Sequence, residues 1–219
     1  MQAPGTAIYL ASDLHLGAPD AANSRLREQH FVRWLRDVVL QDGHTLHLLG
    51  DVFDFWVEYR HMVPRGYVRL LGTLADLRDA GITIEAHVGN HDLWLGSYLT
   101  EELDIPVHHG PILRSYHGQQ WLLAHGDGLG PGDTGYKLMR RFLVSQGARA
   151  TYKLLPPTFA WWLATRLSAT SRNATRKARH QDYGPQDAFY QYALHYQPPA
   201  GQPAPQRFAF GHQHYPKYT

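Results

Sequence analysis

Five apolar stretches of this chain end in the same way, in an aspartate, asparagine or histidine that usually lies beside glycine. Along the 219 residues they read YLASDLHLG, LHLLGDVFDFW, AHVGNHDLW, WLLAHGDGLG and FAFGHQHYP. Short apolar runs with such boundaries are typical of buried strands. The residues that follow them are poor strand formers and are costly to bury without partners. Their repetition at strand ends therefore needs a common explanation.

The segments between the first three strands have helical periodicity. Phe31, Trp34, Leu35 and Val38 predict a helix that begins near residue 23 and ends at the QDG sequence. A second helix is predicted over 64–80, with the following glycine as its C-cap. Strands that alternate with helices in this way predict a parallel sheet with helical crossovers.

The second half of the chain has a different character. Short strands on either side of an HG turn at 117–118 predict antiparallel pairing and a second sheet. Residues 134–180 are predicted to be helical, and the proline-rich residues 198–205 to form a loop. The last strand is predicted in RFAFGHQH.

Ligands bind outside the carboxyl ends of the strands in α/β sheets, so the five polar clusters are expected to converge. Carboxylate, amide and imidazole groups suit Mn, Fe or Zn, and the chain has no cysteine for a thiolate site. The 15 histidines are consistent with metal binding, although any single one is more simply explained as a solvated surface residue. Two such ions can activate a water molecule and stabilise the leaving oxygen of a phosphoester.

In this order the five clusters match the forms D-x-H, G-D, G-N-H-D, H-G-D and G-H-x-H. The chain therefore resembles the calcineurin-like metallophosphoesterases from residue 13 to residue 214. This resemblance implies an α/β fold, a two-sheet βαβ sandwich flanked by helices, with a helical insert (cap) at about 134–190. It also implies one domain over 1–219.

The resemblance further assigns roles to the residues of the five clusters. It implies one metal ion bound by Asp13, His15 and His214, a second ion bound by Asn90, His125 and His212, and Asp51 as the bridge between them. His91 would polarise the phosphate or protonate the leaving oxygen. Asp92 would orient His91 by accepting a hydrogen bond. The two divalent ions are expected to be Mn, with Fe and Zn as alternatives.

Residues 137–181 have an unusual composition, because they hold ten lysines and arginines and no acidic residue. They also contain the apolar run LLPPTFAWWLATRL. A basic and aromatic segment of this kind favours a bilayer interface or an acylated ligand with an anionic head. A solvated helical face and plain packing on the core are the alternatives. Nucleic acid is disfavoured because a stacking surface does not need so long an aliphatic run.

With this insert, the motifs DLHLG, GDxFxxW and HGD are similar to those of the UDP-2,3-diacylglucosamine diphosphatases of lipid A biosynthesis. That resemblance implies attack of a metal-activated water on the phosphorus of the UMP moiety, giving UMP and 2,3-diacylglucosamine 1-phosphate. Asn90 and His91 are expected to contact the substrate in addition to their roles at the metal centre. The other expected substrate contacts are Trp56, Asp133, Tyr136, Ser171, Arg172, Asn173 and Lys177. Many members of this family have arginine where this chain has His91. Members also usually continue with further strands, which leaves open that C-terminal strands are missing here.

The expected partners are the UDP-linked acylated glucosamine and the inner-membrane surface, with no nucleic acid and no obligate protein partner. The expected location is the cytoplasm, peripheral on the inner membrane. A phosphodiesterase or phosphatase of the same fold that acts on a soluble phosphoester is the alternative function. A non-catalytic scaffold that docks on membranes or proteins is a third, which the complete ligand set argues against.

Overall fold

A computed structural model describes residues 5–178 and 184–214 of the chain, apart from the side chains at positions 167 and 169–178. The chain divides into two compact units, Met1–Gly110 and Pro111–Thr219. The prediction of one domain stays a prediction.

Unit 1 is built from strands that alternate with helices, as the sequence predicts. Its elements are β1 (Ala7–Ala11), α1 (Ala21–Trp34), a π-helical segment (Leu35–Val39), α2 (Leu40–Asp42), β2 (Gly43–Leu48), α3 (Val68–Asp79), β3 (Thr83–His87), α4 (Tyr98–Leu103) and β4 (Val107–His108). The four strands form one parallel sheet in the order β1-β2-β3-β4. Because right-handed crossovers between neighbouring strands return on one face, α1 and α3 pack against each other there.

The core of unit 1 consists of aliphatic side chains from the sheet and from α3. Leu46, Leu48 and Ile84 on the strands and Leu70 and Leu74 on α3 are almost completely buried. Leu70 and Leu74 have the four-residue spacing of one helical face. The hydrophobic pattern therefore fixes the orientation of β2, β3 and α3.

The start of α3 differs from the prediction, because residues 64–67 are not helical. Tyr67 has a left-handed backbone (φ 59°), and its buried phenol donates a hydrogen bond to the carbonyl of Leu16. The first N–H groups of α3 are capped by a distant residue, Glu28 on α1, whose carboxylate accepts from Arg69 and Leu70. A contact from so far along the chain cannot be seen in the local pattern.

Unit 2 holds the second sheet and most of the helical insert. Its elements are β5 (Ile112–Tyr116), β6 (Gln119–Ala124), α5 (Thr134–Leu143), α6 (Gln146–Lys153), α7 (Pro157–Ala178), a 3₁₀ turn (Gly184–Gln186), α8 (Ala188–His195) and β7 (Arg207–Phe210). The sheet order is β5-β6-β7, with β5 antiparallel and β7 parallel to β6. The HG turn is confirmed, since His117 and Gly118 both have positive φ as two-residue hairpins require. Within the described residues, none of the helices combines the length and the apolar character needed to cross a bilayer.

Candidate metal centre

Three loops that follow β1, β2 and β3 lie together at the carboxyl edge of the parallel sheet in unit 1. The loop after β1 carries Asp13 and His15, the loop after β2 carries Asp51, and the loop after β3 carries Asn90 and His91. Backbone hydrogen bonds join the first two loops, from the N–H of Asp13 to the carbonyl of Gly50 and from that of His15 to Asp51. The convergence predicted from the strand ends is therefore confirmed within unit 1.

His15 faces two carboxylates across distances that suit a shared metal ion. Its Nε2 atom lies 3.8 Å from Oδ1 of Asp13 and 3.7 Å from Oδ2 of Asp51, and none of the three side chains is more than 10% exposed. Two ligand atoms that each lie about 2.1 Å from one ion are separated by roughly 3–3.5 Å. A small inward movement of these side chains would therefore let them bind a divalent ion. Imidazole and carboxylate are also the donor types that such ions take.

The glycine of the GNHD motif is required by the close approach of Asp51. A Cβ atom on Gly89 would lie 2.1 Å from Oδ1 of Asp51 and 2.6 Å from its backbone nitrogen. The same Oδ1 atom accepts a hydrogen bond from the backbone N–H of His91, at 2.8 Å. This hydrogen bond and the missing side chain bring the loops after β2 and β3 into direct contact.

His91 is held against a carboxylate that the sequence analysis did not single out, that of Asp54. The Nδ1 atom of His91 lies 3.4 Å from Oδ1 of Asp54, and the same oxygen atom lies 3.7 Å from Nδ1 of His15. The two imidazole rings meet edge to face at 4.6 Å. Burial lowers the pKa of His91, and the charges of Asp51 and Asp54 oppose that shift. Asp54 stands three positions after Asp51 in GDVFD, and that spacing is the signal that could have identified it.

The carboxylate of Asp92 binds backbone N–H groups of two loops, which the sequence does not predict. Its fully buried carboxylate accepts hydrogen bonds from the N–H groups of Asp51, Val52, Phe53 and Gly89. It therefore ties the loop that carries Asp51 to the loop that carries Asn90 and His91. The orientation of the His91 ring by Asp92 stays a prediction.

Unit 2 carries the other three predicted ligands at the ends of two neighbouring parallel strands. His125 follows β6 and is almost completely buried, whereas His212 and the exposed His214 follow β7. The rings of His125 and His212 lie 5.1 Å apart. Gly126 allows this turn, because a Cβ atom there would lie 2.5 Å from the ring of Phe189. His125 and His212 are thus brought together as the strand-end pattern predicts.

Predicted ligands in both units have an uncommon backbone conformation. Left-handed φ angles of 44–70° occur at Asp13, His15, Asp51, His212 and His214. Few residues other than glycine adopt this region, and those that do are enriched at functional sites. Five of the nine described non-glycine residues with positive φ are thus predicted metal ligands.

The helix α5 begins at a hydrogen-bond network in the HGD loop of unit 2. Asp127 is buried and accepts hydrogen bonds from the hydroxyl of Tyr136, at 2.7 Å, and from Nε of Arg140, at 2.6 Å. Asp133 is the exposed N-cap residue of the helix. The two predicted substrate contacts here, Asp133 and Tyr136, therefore lie at one helix end.

The prediction that Trp56 contacts the substrate is wrong. Its side chain has no exposed surface, and its ring packs on Phe53 at 4.3 Å and on Tyr98 at 5.9 Å. Its indole N–H donates to Glu58, whose carboxylate also accepts from the backbone of residues 96–98. Trp56 is thus part of the core of unit 1. The predicted contacts at Ser171, Arg172, Asn173 and Lys177 lie on α7, but their side chains are outside the described residues.

No family model matches the chain. Curated relatives do match it, and all three cited here bear the name UDP-2,3-diacylglucosamine hydrolase. The protein from Porphyromonas gingivalis is 37% identical over 173 residues, which cover 78% of this chain and 66% of the relative. That from Ectopseudomonas mendocina is 32% identical over 77% of this chain and 67% of its own length. That from Pseudomonas putida is 31% identical over 77% and 68%.

The chain spans about two thirds of the length of these relatives. Among solved structures, a phosphoesterase from E. coli aligns with a TM-score of 0.36 and 21% identity, over 57% of this chain and 59% of that one. The low score adds nothing to the assignment, which rests on the sequence relatives. The chain belongs to the UDP-2,3-diacylglucosamine hydrolase family.

Proposed function

We propose that this protein hydrolyses the pyrophosphate bond of UDP-2,3-diacylglucosamine to give UMP and 2,3-diacylglucosamine 1-phosphate. The observation that carries the proposal is the buried cluster of Asp13, His15 and Asp51, in a chain whose relatives bear the name of this hydrolase. In the reaction a water oxygen forms a bond to the phosphorus of the UMP moiety. The bond from that phosphorus to the bridging oxygen breaks, and the acylated sugar phosphate leaves.

The proposed centre holds two divalent ions, with Mn as the first choice. The proposed ligands are Asp13, His15 and His214 for one ion, Asn90, His125 and His212 for the other, and Asp51 as the bridge. When bound, such ions supply Lewis-acid activation of water and neutralise phosphate charge. The proposal requires the clusters of the two units to act as one site.

His91 is proposed to act on the substrate rather than to bind metal. Because burial lowers the pKa of this residue, its imidazole is neutral near pH 7 and keeps one N–H for donation. Contact of Nδ1 with Asp54 favours a proton on that nitrogen. Nε2 would then be an acceptor in the neutral ring, and protonation would be needed before it could donate to a phosphate or leaving oxygen.

An acylated substrate is favoured over a soluble one by the exposed apolar side chains of unit 2. Leu154 is 84% exposed, Phe142 66% and Trp162 51%. If the apolar run and α5 served only to pack on the core, these side chains would be buried. The guanidinium of Arg166 lies 5.6 Å from the centre of the Trp162 ring, which places a cation beside this apolar surface.

The same surface is the basis for proposing peripheral attachment to an anionic membrane. On α5 the side chains of Lys137 and Arg140 bond inward, to the carbonyl of Gly130 and to Asp127. The opposite side presents Leu138 and Phe142 to solvent. An exposed apolar face beside the exposed Arg141, in a segment without acidic residues, matches an interfacial helix.

Two experiments test these proposals. Wild-type protein with Mn is expected to release UMP from UDP-2,3-diacylglucosamine much faster than it hydrolyses a small chromogenic phosphodiester, and EDTA should abolish both activities. Equal rates with both would favour the soluble alternative. In sedimentation with vesicles that contain phosphatidylglycerol, the Phe142→Ser variant should bind less than wild type. The Leu26→Ser variant, which changes an exposed leucine on α1, is the matched control.

A further inference from the structure

The loop that follows β1 carries two predicted metal ligands, and several of its carbonyl groups accept hydrogen bonds from other elements. Asp13, His15 and Gly17 all have positive φ, at 57°, 44° and 111°. Residues other than glycine seldom adopt this region. The carbonyl of His15 accepts from the N–H of Ala18 within the loop, and the carbonyl of Leu16 accepts from the N–H of Asp54 and the hydroxyl of Tyr67.

One side chain on α1, Arg27, supplies donors to three of these carbonyls. Its Nε donates to the carbonyl of Leu14 at 2.9 Å, and one terminal nitrogen donates to those of His15, at 2.8 Å, and Ala18. The guanidinium is a rigid planar fork, so three carbonyls bound to it are held in a fixed arrangement. Arg27 is half-buried, and all three of these hydrogen bonds go to backbone carbonyl groups of the loop.

The helix that carries Arg27 is itself fixed in place. Ser24, one turn earlier on the same face of α1, accepts a hydrogen bond from the backbone N–H of Gly17 at 2.8 Å. Glu28 is buried and binds the first N–H groups of α3. The position of the loop is therefore set by α1, and that of α1 by α3.

We infer that Arg27 is a positioning residue of the metal centre, and this inference rests on the proposed function. Arg27 prearranges the backbone of Asp13 and His15, so that Nε2 of His15 faces the carboxylates of Asp13 and Asp51 before an ion arrives. Without the three hydrogen bonds the loop would relax from its left-handed conformation, and the ion would have to restore it on binding. Removal of residues that orient ligands typically weakens metal binding by about 10–100-fold.

The test measures Mn binding to metal-free protein by isothermal calorimetry and by electron paramagnetic resonance of free Mn. Arg27→Met is expected to weaken binding at the tighter site by about 10–100-fold. Arg27→Lys, which keeps a charged donor without the planar fork, should lie between this variant and wild type. Ser24→Ala, which removes the acceptor for Gly17, should weaken binding in the same direction. Arg25→Met, at an exposed arginine on the same helix, is the matched control and should bind as wild type does.

Thermal unfolding of each metal-free variant separates positioning from stability. If Arg27→Met and Ser24→Ala are folded, lower the midpoint of unfolding and keep the wild-type affinity for Mn, the positioning role is wrong. If Arg27→Met does not fold, unchanged Mn affinity in Arg27→Lys and Ser24→Ala together overturns the inference. If wild-type protein binds no Mn, the proposed function fails and the inference with it. If all variants bind Mn with the wild-type affinity, the inference is wrong, and the proposed function is not contradicted.

Discussion

Replacement of Asp92 by asparagine tests whether the carboxylate of Asp92 holds together the loops that follow β2 and β3. Each oxygen of Asp92 accepts from two backbone N–H groups, Oδ1 from Asp51 and Gly89 and Oδ2 from Val52 and Phe53. Asparagine has the same shape, but one of its two terminal atoms is an NH₂ group that donates. Two buried N–H groups would therefore face another donor and lose their acceptor.

A buried donor without an acceptor costs about 1–3 kcal/mol, so the two groups together would cost about 2–6 kcal/mol. For a chain of this size, each kcal/mol lowers the midpoint of thermal unfolding by about 2–4 °C. We expect the midpoint of Asp92→Asn to fall by about 5–20 °C in metal-free protein, measured by scanning calorimetry. The control is Asp76→Asn, at an exposed carboxylate on α3 whose ion pair with Arg36 spans 3.9 Å. A midpoint for Asp92→Asn within 1–2 °C of the control would refute the reasoning.

Three further predictions concern the ligand bridge, a buried histidine and the apolar surface. Asp51→Asn should abolish Mn-dependent phosphoesterase activity while circular dichroism shows an intact fold, because an amide is a weaker bridge; wild-type turnover at saturating Mn would contradict this. Burial, with the charges of His108 and His47, lowers the pKa of His87 to about 3 from its ordinary 6.5. Above about pH 6.5 His87 is neutral in both the folded and the unfolded state, and the protein has its full stability. As pH falls from 6.5 towards 3, His87 takes up a proton only in the unfolded state, which lowers the free energy of unfolding by about 2 kcal/mol at pH 5. Urea denaturation at pH 7.5 and pH 5 should show a smaller loss in His87→Gln, and an equal loss would be contrary to the expectation. Leu138→Ser should lower kcat/KM for UDP-2,3-diacylglucosamine and leave hydrolysis of a small diester unchanged, whereas a parallel loss with both substrates would exclude a role in lipid binding.

The strand-end pattern was sufficient to predict much of the fold and of the candidate site. The parallel order of β1, β2 and β3 follows from strand and helix periodicity, and parallel strands bring their carboxyl ends to one edge. The sequence alone therefore places Asp13, His15 and Asp51 together, as the structure does.

The parts that could not be predicted depend on contacts between distant residues. The start of α3 is set by Glu28 and Tyr67, and neither contact leaves a trace in the local sequence. The aromatic residues of GDVFDFW indicate a pocket and a core equally well, and only the packing of Trp56 decides between them. The roles of Asp54 and Arg27 likewise depend on which neighbours the fold supplies.

The central claim is that seven side chains from separate loops hold two divalent ions in one centre. Anomalous diffraction at the Mn edge, from crystals grown with Mn, tests it most directly. The account predicts two peaks, one bound by Asp13 and His15 and the other by Asn90 and His125, with Asp51 in contact with both. A single peak, or peaks away from these residues, would contradict it.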